Sequence, residues 1–298
     1  MRYAGECAAI GTTLCFGVGS NFFAAAGRRL GSAVLNRLRI TVALVLLTAT
    51  LIAVRGVPWP TWATAPQLGW LSLSGLVGFV FGDANFFRAL VILGPGRATL
   101  LLSLAPVFTA LLAWPVLGEA PGPLMLLGMG LTLAGILWVI HEHGRAEAVH
   151  AEGKIASGVL SGVLGAVGQA VGTVLSKIAL RTGIDPLSAT VIRVAAAVAG
   201  IWLLAAARGE VTRSLAGLRD RRGSLFMVGG AFCGPFLGVT LALVALQRIE
   251  AGVAASITAS YPVIAIVIAS RFQGERLTAR ILMGALVTVA GVAVLFMR

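Results

Sequence analysis

The chain has 298 residues, 58% of them hydrophobic and only 11% charged, with 23 Lys and Arg against 11 Asp and Glu. A soluble domain is about a quarter charged, so composition excludes an ordinary soluble protein and places the chain in lipid. A net charge of +12 would suggest nucleic acid in a soluble protein, but here the basic residues are spread over loops, so no nucleic-acid partner is expected.

A hydrocarbon core about 30 Å thick needs roughly 20 apolar residues per helix, and the apolar runs break at charged or proline-rich points. The first predicted span, 5–26, holds Glu6 and Asn21 and is followed by Arg28-Arg29; the second, 32–54, holds Arg37 and Arg39. A loop with Trp59-Pro60-Thr61-Trp62 leads to the third, 67–92, whose polar stretch is Gly82-Asp83-Ala84-Asn85. The fourth, 98–117, contains Ser103 and Pro106 and ends at Gly118-Glu119; the fifth is 122–141. His141, Glu142, His143, Glu147 and His150 fall in the loop before the sixth, 155–180, which holds Gln169 and Lys177. The seventh, 186–207, holds Arg193, and the eighth is 224–246. The ninth, 251–270, holds Thr258, Tyr261 and Pro262 and is followed by Gly274-Glu275; the tenth is 278–297. Cys7, Cys15 and Cys233 all sit inside spans, and neither a disulfide framework nor a metal spacing follows from them.

One offset of 156 residues lays the second half on the first without a gap, pairing Ser20 with Ser176, Arg37 with Arg193 and Gly82 with Gly238. Pro106 pairs with Pro262, Gly118-Glu119 with Gly274-Glu275, Thr132 with Thr288 and Gly135 with Gly291. The chain is a duplicated unit, with a first five-helix repeat over 1–142, a linker over 143–156 and a second repeat over 157–298. Five is odd, so the expected fold is an all-α membrane protein of ten transmembrane helices in two inverted repeats, as in many alternating-access carriers. The duplication also rejects a signal peptide at the N-terminus, because residues 5–26 correspond to an internal segment.

Basic residues concentrate in the loops after spans 1, 3, 5, 7 and 9, much of the bias coming from 208–223. The positive-inside rule makes those loops cytoplasmic and puts both termini outside.

Gly94-Pro95-Gly96-Arg97-Ala98, Leu104-Ala105-Pro106-Val107, Leu117-Gly118-Glu119, Gly128 and Gly135 recur in register as Ala251-Gly252-Val253-Ala254, Ser260-Tyr261-Pro262-Val263, Gln273-Gly274-Glu275-Arg276, Gly284 and Ala290-Gly291. This pattern resembles the EamA repeat of the drug/metabolite transporter superfamily, and the two copies cover residues 5–297. The resemblance implies a central cavity formed by spans 1–4 and 6–9, with spans 5 and 10 peripheral. It also implies transport of amino acids, metabolites or drugs, in or out, in the inner membrane of a bacterium, without choosing a substrate.

Pro106 and Pro262 each remove an amide donor and clash with the carbonyl four residues earlier, that of Leu102 or Thr258. Ser103, Thr258, Ser260 and Tyr261 stand close enough to satisfy the freed groups. Two readings stand, a broken-helix substrate site and a plain kink. Glu119 and Glu275 end spans, where a charge is cheap, which favours a structural role over proton coupling. Gly128, Thr132 and Gly135, like Gly284, Thr288 and Gly291, line one side of their spans and read as packing faces.

Asp83 is the one aspartate within any span, and its repeat mate is Val239. An aspartate at the bilayer centre costs about 2.5–3.5 kcal/mol on insertion scales, so it faces the bundle interior or is protonated. A polar residue that breaks the pseudo-symmetry suits substrate or proton contact, and the alternative is a buried ion pair with an arginine of another span. The matched Arg37 and Arg193 either snorkel or point into the cavity to bind a carboxylate or phosphate. Arg39 points elsewhere on its helix and is expected to snorkel. Asn85, Asn21, Gln169 and Lys177 are expected cavity lining. Glu6 lies too near the interface to take on a coupling role, and Arg88 suits the cytoplasmic rim.

The histidine loop fixes no metal geometry, so a hinge linker explains it and no metal or cofactor is expected. A second intramembrane aspartate, clustered carboxylates or an intramembrane Ser and His would be needed for a membrane enzyme, and the spans lack them. With no Gly-x-x-x-x-Gly-Lys-Ser/Thr loop, energy for transport would come from an ion or substrate gradient, protons among the candidates. The expectation is a secondary transporter of a small organic metabolite, with export the expected direction. A receptor or structural role is the alternative, and the oligomeric state is left open.

Overall fold

The computed structural model describes residues 3–93, 98, 101–144, 155–273 and 279–296, and all regular structure among them is helical. The first half contains α1 (Ala4–Leu30), α2 (Ser32–Arg55), α3 (Ala65–Gly75), a π-helical segment (Leu76–Gly82), α4 (Asp83–Leu93), α5 (Ala105–Leu117) and α6 (Pro123–Gly144). The second half contains α7 (Ile155–Leu180), α8 (Pro186–Ala207), the short α9 (Val211–Ala216) and α10 (Arg221–Ala231). It continues with a second π-helical segment (Phe232–Gly238), α11 (Val239–Arg248), α12 (Ala251–Thr258), α13 (Tyr261–Gln273) and α14 (Ala279–Phe296).

Local chemistry sets the ends of these helices. Thr64 and Gln67 form a reciprocal capping box at the start of α3. The Asp185 carboxylate accepts from the Ser188 N–H at 3.0 Å, and the Asp220 carboxylate accepts from the Gly223 N–H at 3.1 Å, capping α8 and α10. Gly118, at φ 71°, closes α5 in the left-handed region that other residues enter at a cost, and this turn delivers Glu119.

Among the described residues, six helices are long and apolar enough to cross a membrane: Ala4–Leu30, Ser32–Arg55, Ala65–Ala89, Ile155–Leu180, Pro186–Ala207 and Arg221–Arg248. Four shorter apolar helices accompany them: Ala105–Leu117, Pro123–Val139, Ala251–Ala265 and Ala279–Leu295. Outward-facing Leu203, Leu225 and Leu286 are 73%, 72% and 68% exposed, a surface suited to lipid rather than water.

The duplication is visible in the backbone itself. The two π segments, 76–82 and 232–238, are 156 residues apart at both ends, the offset of the sequence repeat. Pro235, which lacks an N–H, interrupts the ladder of the second; Phe79 holds the same place in the first.

Helices α6 and α14 pack through their small residues. A Cβ on Gly135 would lie 2.4 Å from Thr288 Oγ1, and one on Gly291 would lie 2.3 Å from the Thr132 backbone nitrogen. Because Thr132 and Thr288 are repeat mates, as are Gly135 and Gly291, the contact is reciprocal in the manner of a two-fold interface. A Cβ on Gly128 would in turn meet Leu295, so the order along one helix is reversed along the other. These two equivalent helices thus run antiparallel.

The halves also exchange partners. Helix α1 lies along α10, the second π segment and α11, while α7 lies along α3, the first π segment and α4. The approach of α7 to the first π segment is glycine-dependent, for a Cβ on Gly168 would be 2.8 Å from the Gly82 Cα. Leu71, Ile192, Leu243 and Ile257 are fully buried where the two halves meet.

The two prolines do not kink continuous helices. Pro106 and Pro262 are each the second residue of a new helix, α5 or α13, where a missing N–H leaves no bond unmade. The Leu101 carbonyl accepts from the Leu104 N–H, and its repeat mate, the Ile257 carbonyl, accepts from the Ser260 N–H, each at 3.1 Å. Ile257 O also accepts from Ser260 Oγ at 2.6 Å and from Thr13 Oγ1 of α1 at 2.9 Å. The carbonyl that gathers donors is therefore one residue earlier than the steric rule for an internal proline implies, because the helix stops before the proline.

Candidate functional site

Four side chains from four helices meet around Asp83. The first π segment ends at Asp83, whose N–H reaches back five residues to Gly78 O, and this widened turn presents the carboxylate to α2 and α7. Arg39 Nη2 lies 2.5 Å from Asp83 Oδ2, and Gln169 Nε2 donates to Asp83 Oδ1 at 2.8 Å. The same amide reaches Gly78 O at 3.3 Å. The Asp83 residue is only 7% exposed, so both oxygens are satisfied by protein.

Arg39 is held from several sides. Its guanidinium stacks on Phe23 at 5.0 Å and on Phe87 at 5.6 Å, and its Nε donates to Asn36 Oδ1 at 2.9 Å. The expectation that Arg39 snorkels is therefore corrected: an ion pair with a buried carboxylate and two aromatic faces outweigh the reach to the interface. Arg39 was also missed as a site residue. Its repeat mate is Ala195, so the broken symmetry that singled out Asp83 also marks Arg39.

Arg193 completes the cluster in a different way. It is 5% exposed, its guanidinium lies 4.7 Å from the centre of the Phe79 ring, and it is within Coulombic reach of Asp83. Its Nε is buried with no hydrogen-bond partner. Space for the head comes from Gly78 and Gly172, where an added Cβ would approach Arg193 Nη2 to 3.0 and 3.2 Å. The α3 backbone comes so close to α8 that a Cβ on Gly75 would sit 2.1 Å from Arg193 O. Tyr261 packs edge-on against Phe16, with ring centres 6.1 Å apart, and is also within Coulombic reach of Asp83.

Arg39 and Arg193 are each the eighth residue of their helix, about 10 Å from its first residue at 1.5 Å per residue. Arg39 and Asp83 belong to the first half of the chain, Gln169 and Arg193 to the second. A charged site deep in the bundle is thus assembled across the repeat boundary.

Other expected lining residues go elsewhere. Arg37 stays buried but turns away from the cluster: it bonds Ser214 Oγ at 2.9 Å and pairs with Glu210, beyond the end of α8, because the α8–α9 loop brings a carboxylate to it. Asn85 turns back on Phe81 O of its own helix at 3.0 Å. Asn21 ties α1 to α13 through Ala265 O at 3.2 Å. Ser103 is buried in the break before α5, and Thr258 is the last residue of α12.

Lys177 belongs to a second cluster, at one end of the bundle. Glu119 receives Lys177 Nζ at 2.6 Å, Arg181 Nη2 at 2.7 Å and the Ala251 N–H at 2.7 Å. Lys177 also donates to Ile249 O, and Arg181 Nη1 donates to Leu117 O at 2.6 Å. Glu119 thus joins the end of α5 to α7 and to the start of α12. Its repeat mates Gly274 and Glu275 lie outside the described residues, as do His150 and Glu147 of the histidine loop.

At the same end, a cavity of about 370 Å³ is lined by Arg55, Trp62, Thr64, Gln67, Thr182, Gly183, Ile184 and Asp185. It shares no residue with the Asp83 cluster. Its lining carries no orphaned polar atom, whereas Arg193 does, so the charged cluster is the stronger candidate site.

The profile of the EamA-like transporter family matches residues 3–141 and again residues 156–297. A solved structure described as "Crystal structure of protein" superposes with a TM-score of 0.78 at 18% identity, covering 99% of this chain and 96% of that one, a likeness of fold. No curated protein matches the chain. With both halves matched by one family profile and a helical membrane fold around a charged core, the chain belongs to the EamA-like transporter family.

Proposed function

We propose that the chain is a secondary carrier that crosses the plasma membrane ten times and moves a small organic metabolite out of the cell by alternating access. The observation that carries this reading is the Arg39–Asp83–Gln169–Arg193 cluster, built from both antiparallel halves at depth in the bundle. A site split across the boundary changes its exposure when the halves rock against each other.

Both termini lie outside in this reading, as the partition of basic loops requires. The Glu119 cluster then closes the outer end with a Lys177–Glu119 pair in which both side chains are 8% exposed. At the inner end, the Arg29–Asp220 pair is 45% and 28% exposed, and such pairs contribute little. Glu210 of the inner Arg37 pair is also 36% exposed, so the inner end parts more readily than the outer, which favours loading from the cytoplasm and hence export. Asp83 is the proposed proton site. Protonation would release Arg39 and let cargo and proton exchange across the cluster.

Untargeted mass spectrometry of medium and extract would compare cells producing the native chain with cells producing Asp83→Asn at the same level. A metabolite enriched outside only with the native chain is expected. Identical profiles in the two strains would sink the export reading.

A further inference from the structure

We infer that Arg193 is the docking group for the cargo, and that the cargo is an organic monocarboxylate. This rests on the carrier reading above and names its substrate class. Arg193 and Arg37 are repeat mates, yet the bundle treats them oppositely. Arg37 is matched by Glu210 and Ser214, whereas Arg193 Nε is buried with no hydrogen-bond partner. A buried guanidinium with an orphaned donor is costly, and a fold keeps one where a ligand completes it.

The surroundings say which ligand completes it. Asp83 is already occupied by Arg39 and Gln169, so it does not answer Arg193 with a hydrogen bond. Arg39 and Arg193 against Asp83 leave one uncompensated positive charge, which one anionic group neutralises. A second anionic group would face Asp83, and an ammonium would face two arginines. The planar guanidinium matches a carboxylate in a two-bond fork, and the Phe79 ring supplies apolar surface beside it.

The test uses the full-length protein purified in detergent and three probes that share a phenyl ring: phenylacetate, phenethylamine and 2-phenylethanol. Phenylacetate alone is expected to raise the melting temperature of the native protein. Arg193→Gln should weaken its binding tenfold or more, and Arg193→Lys, which keeps the charge and loses the fork, should weaken it less. Arg37→Gln should leave it unchanged. Without ligand, Arg193→Gln should melt no lower than the native protein, because it removes an unanswered buried charge; a group with a purely structural role would lower it. Stabilisation by phenethylamine in place of phenylacetate, stabilisation by none of the three, or phenylacetate binding undiminished in Arg193→Gln would overturn the inference. Carboxylate binding without any export from cells would leave the inference standing and sink the carrier reading. Export of an amine would do the reverse.

Discussion

Arg39 Nη2 and Asp83 Oδ2 meet at 2.5 Å with side chains only 13% and 11% exposed, in a chain whose sequence separates them by 44 residues. Two charges taken out of water in this way are weak evidence for stability, but each forbids removal of the other. Arg39→Met or Asp83→Leu alone is expected to destabilise by about 3–5 kcal/mol, because each breaks a buried hydrogen-bonded ion pair and leaves its partner behind. The double variant should recover most of that loss and still fail to export. Detergent-denaturant unfolding, run beside an export assay, checks both halves of the expectation; double-variant stability no better than the single variants would contradict it.

The Glu119 carboxylate is a second point of leverage. It answers Lys177, Arg181 and the Ala251 N–H at once, so Glu119→Ala strands a buried ammonium and a backbone donor. The expected cost is about 3–5 kcal/mol, the range for breaking a buried pair. Arg181→Ala, whose side chain is 47% exposed, should cost well under 1 kcal/mol. Equal losses for the two variants in the same unfolding assay would show that burial is not what makes this cluster matter.

How far these features could be read from the sequence depends on what each required. Composition and run length mark out apolar helices, and a gapless offset marks the duplication, because both are properties of the chain in order. The π segments at 76–82 and 232–238 left no local signature beyond Gly78, Gly82 and their mates, since an extra residue in a helical turn is decided by packing against α7 and α1. Gln169 was legible as a polar residue whose mate, Thr13, is a different one, and Asp83 as a polar residue that breaks the symmetry. Arg39 carried the same signal and was passed over in favour of the matched Arg37. Yet matching says nothing of depth or partners: Arg37 reaches Glu210 because the α8–α9 loop, whose counterpart at residue 54 is Val54, happens to offer a carboxylate. The break before Pro262 was legible, but the donors converging on Ile257 O include Thr13 from α1, a contact between residues 244 apart that no local rule supplies.

The reciprocal contact of α6 with α14 gives a paired comparison. A methyl group on Gly291 would fall 2.3 Å from the Thr132 nitrogen, with a backbone that has no room to yield, whereas one on Gly130 meets nothing within 4 Å. Gly291→Ala should therefore cost about 1–3 kcal/mol by overpacking, and Gly130→Ala on the neighbouring helix should stay within about 0.5 kcal/mol of the native protein. Gly135→Ala should resemble Gly291→Ala, since the contact is two-fold. A neutral Gly291→Ala would mean that the two peripheral helices are not held by this close approach.

Outside the spans, the Asp220 carboxyl is held below the usual carboxylate range by the Arg29 hydrogen bond and then by the Gly223 N–H, and the Glu210 carboxyl is held down by Arg37. A depressed value in the folded chain means that each carboxylate contributes stability above its unfolded value, about 4, and that the contribution disappears as pH falls through the folded value. Asp220→Asn keeps an equally good helix cap, so it isolates the charge. The variant should be slightly less stable than the native protein at pH 7 and converge on it as the pH is lowered below about 4. Because both groups face solvent, raising the salt at pH 7 should shrink the difference as well. Unfolding curves at pH 7 and pH 3, each at low and high salt, test this, and a gap between variant and native that is the same at both pH values would show that the charge pair with Arg29 is not what Asp220 contributes.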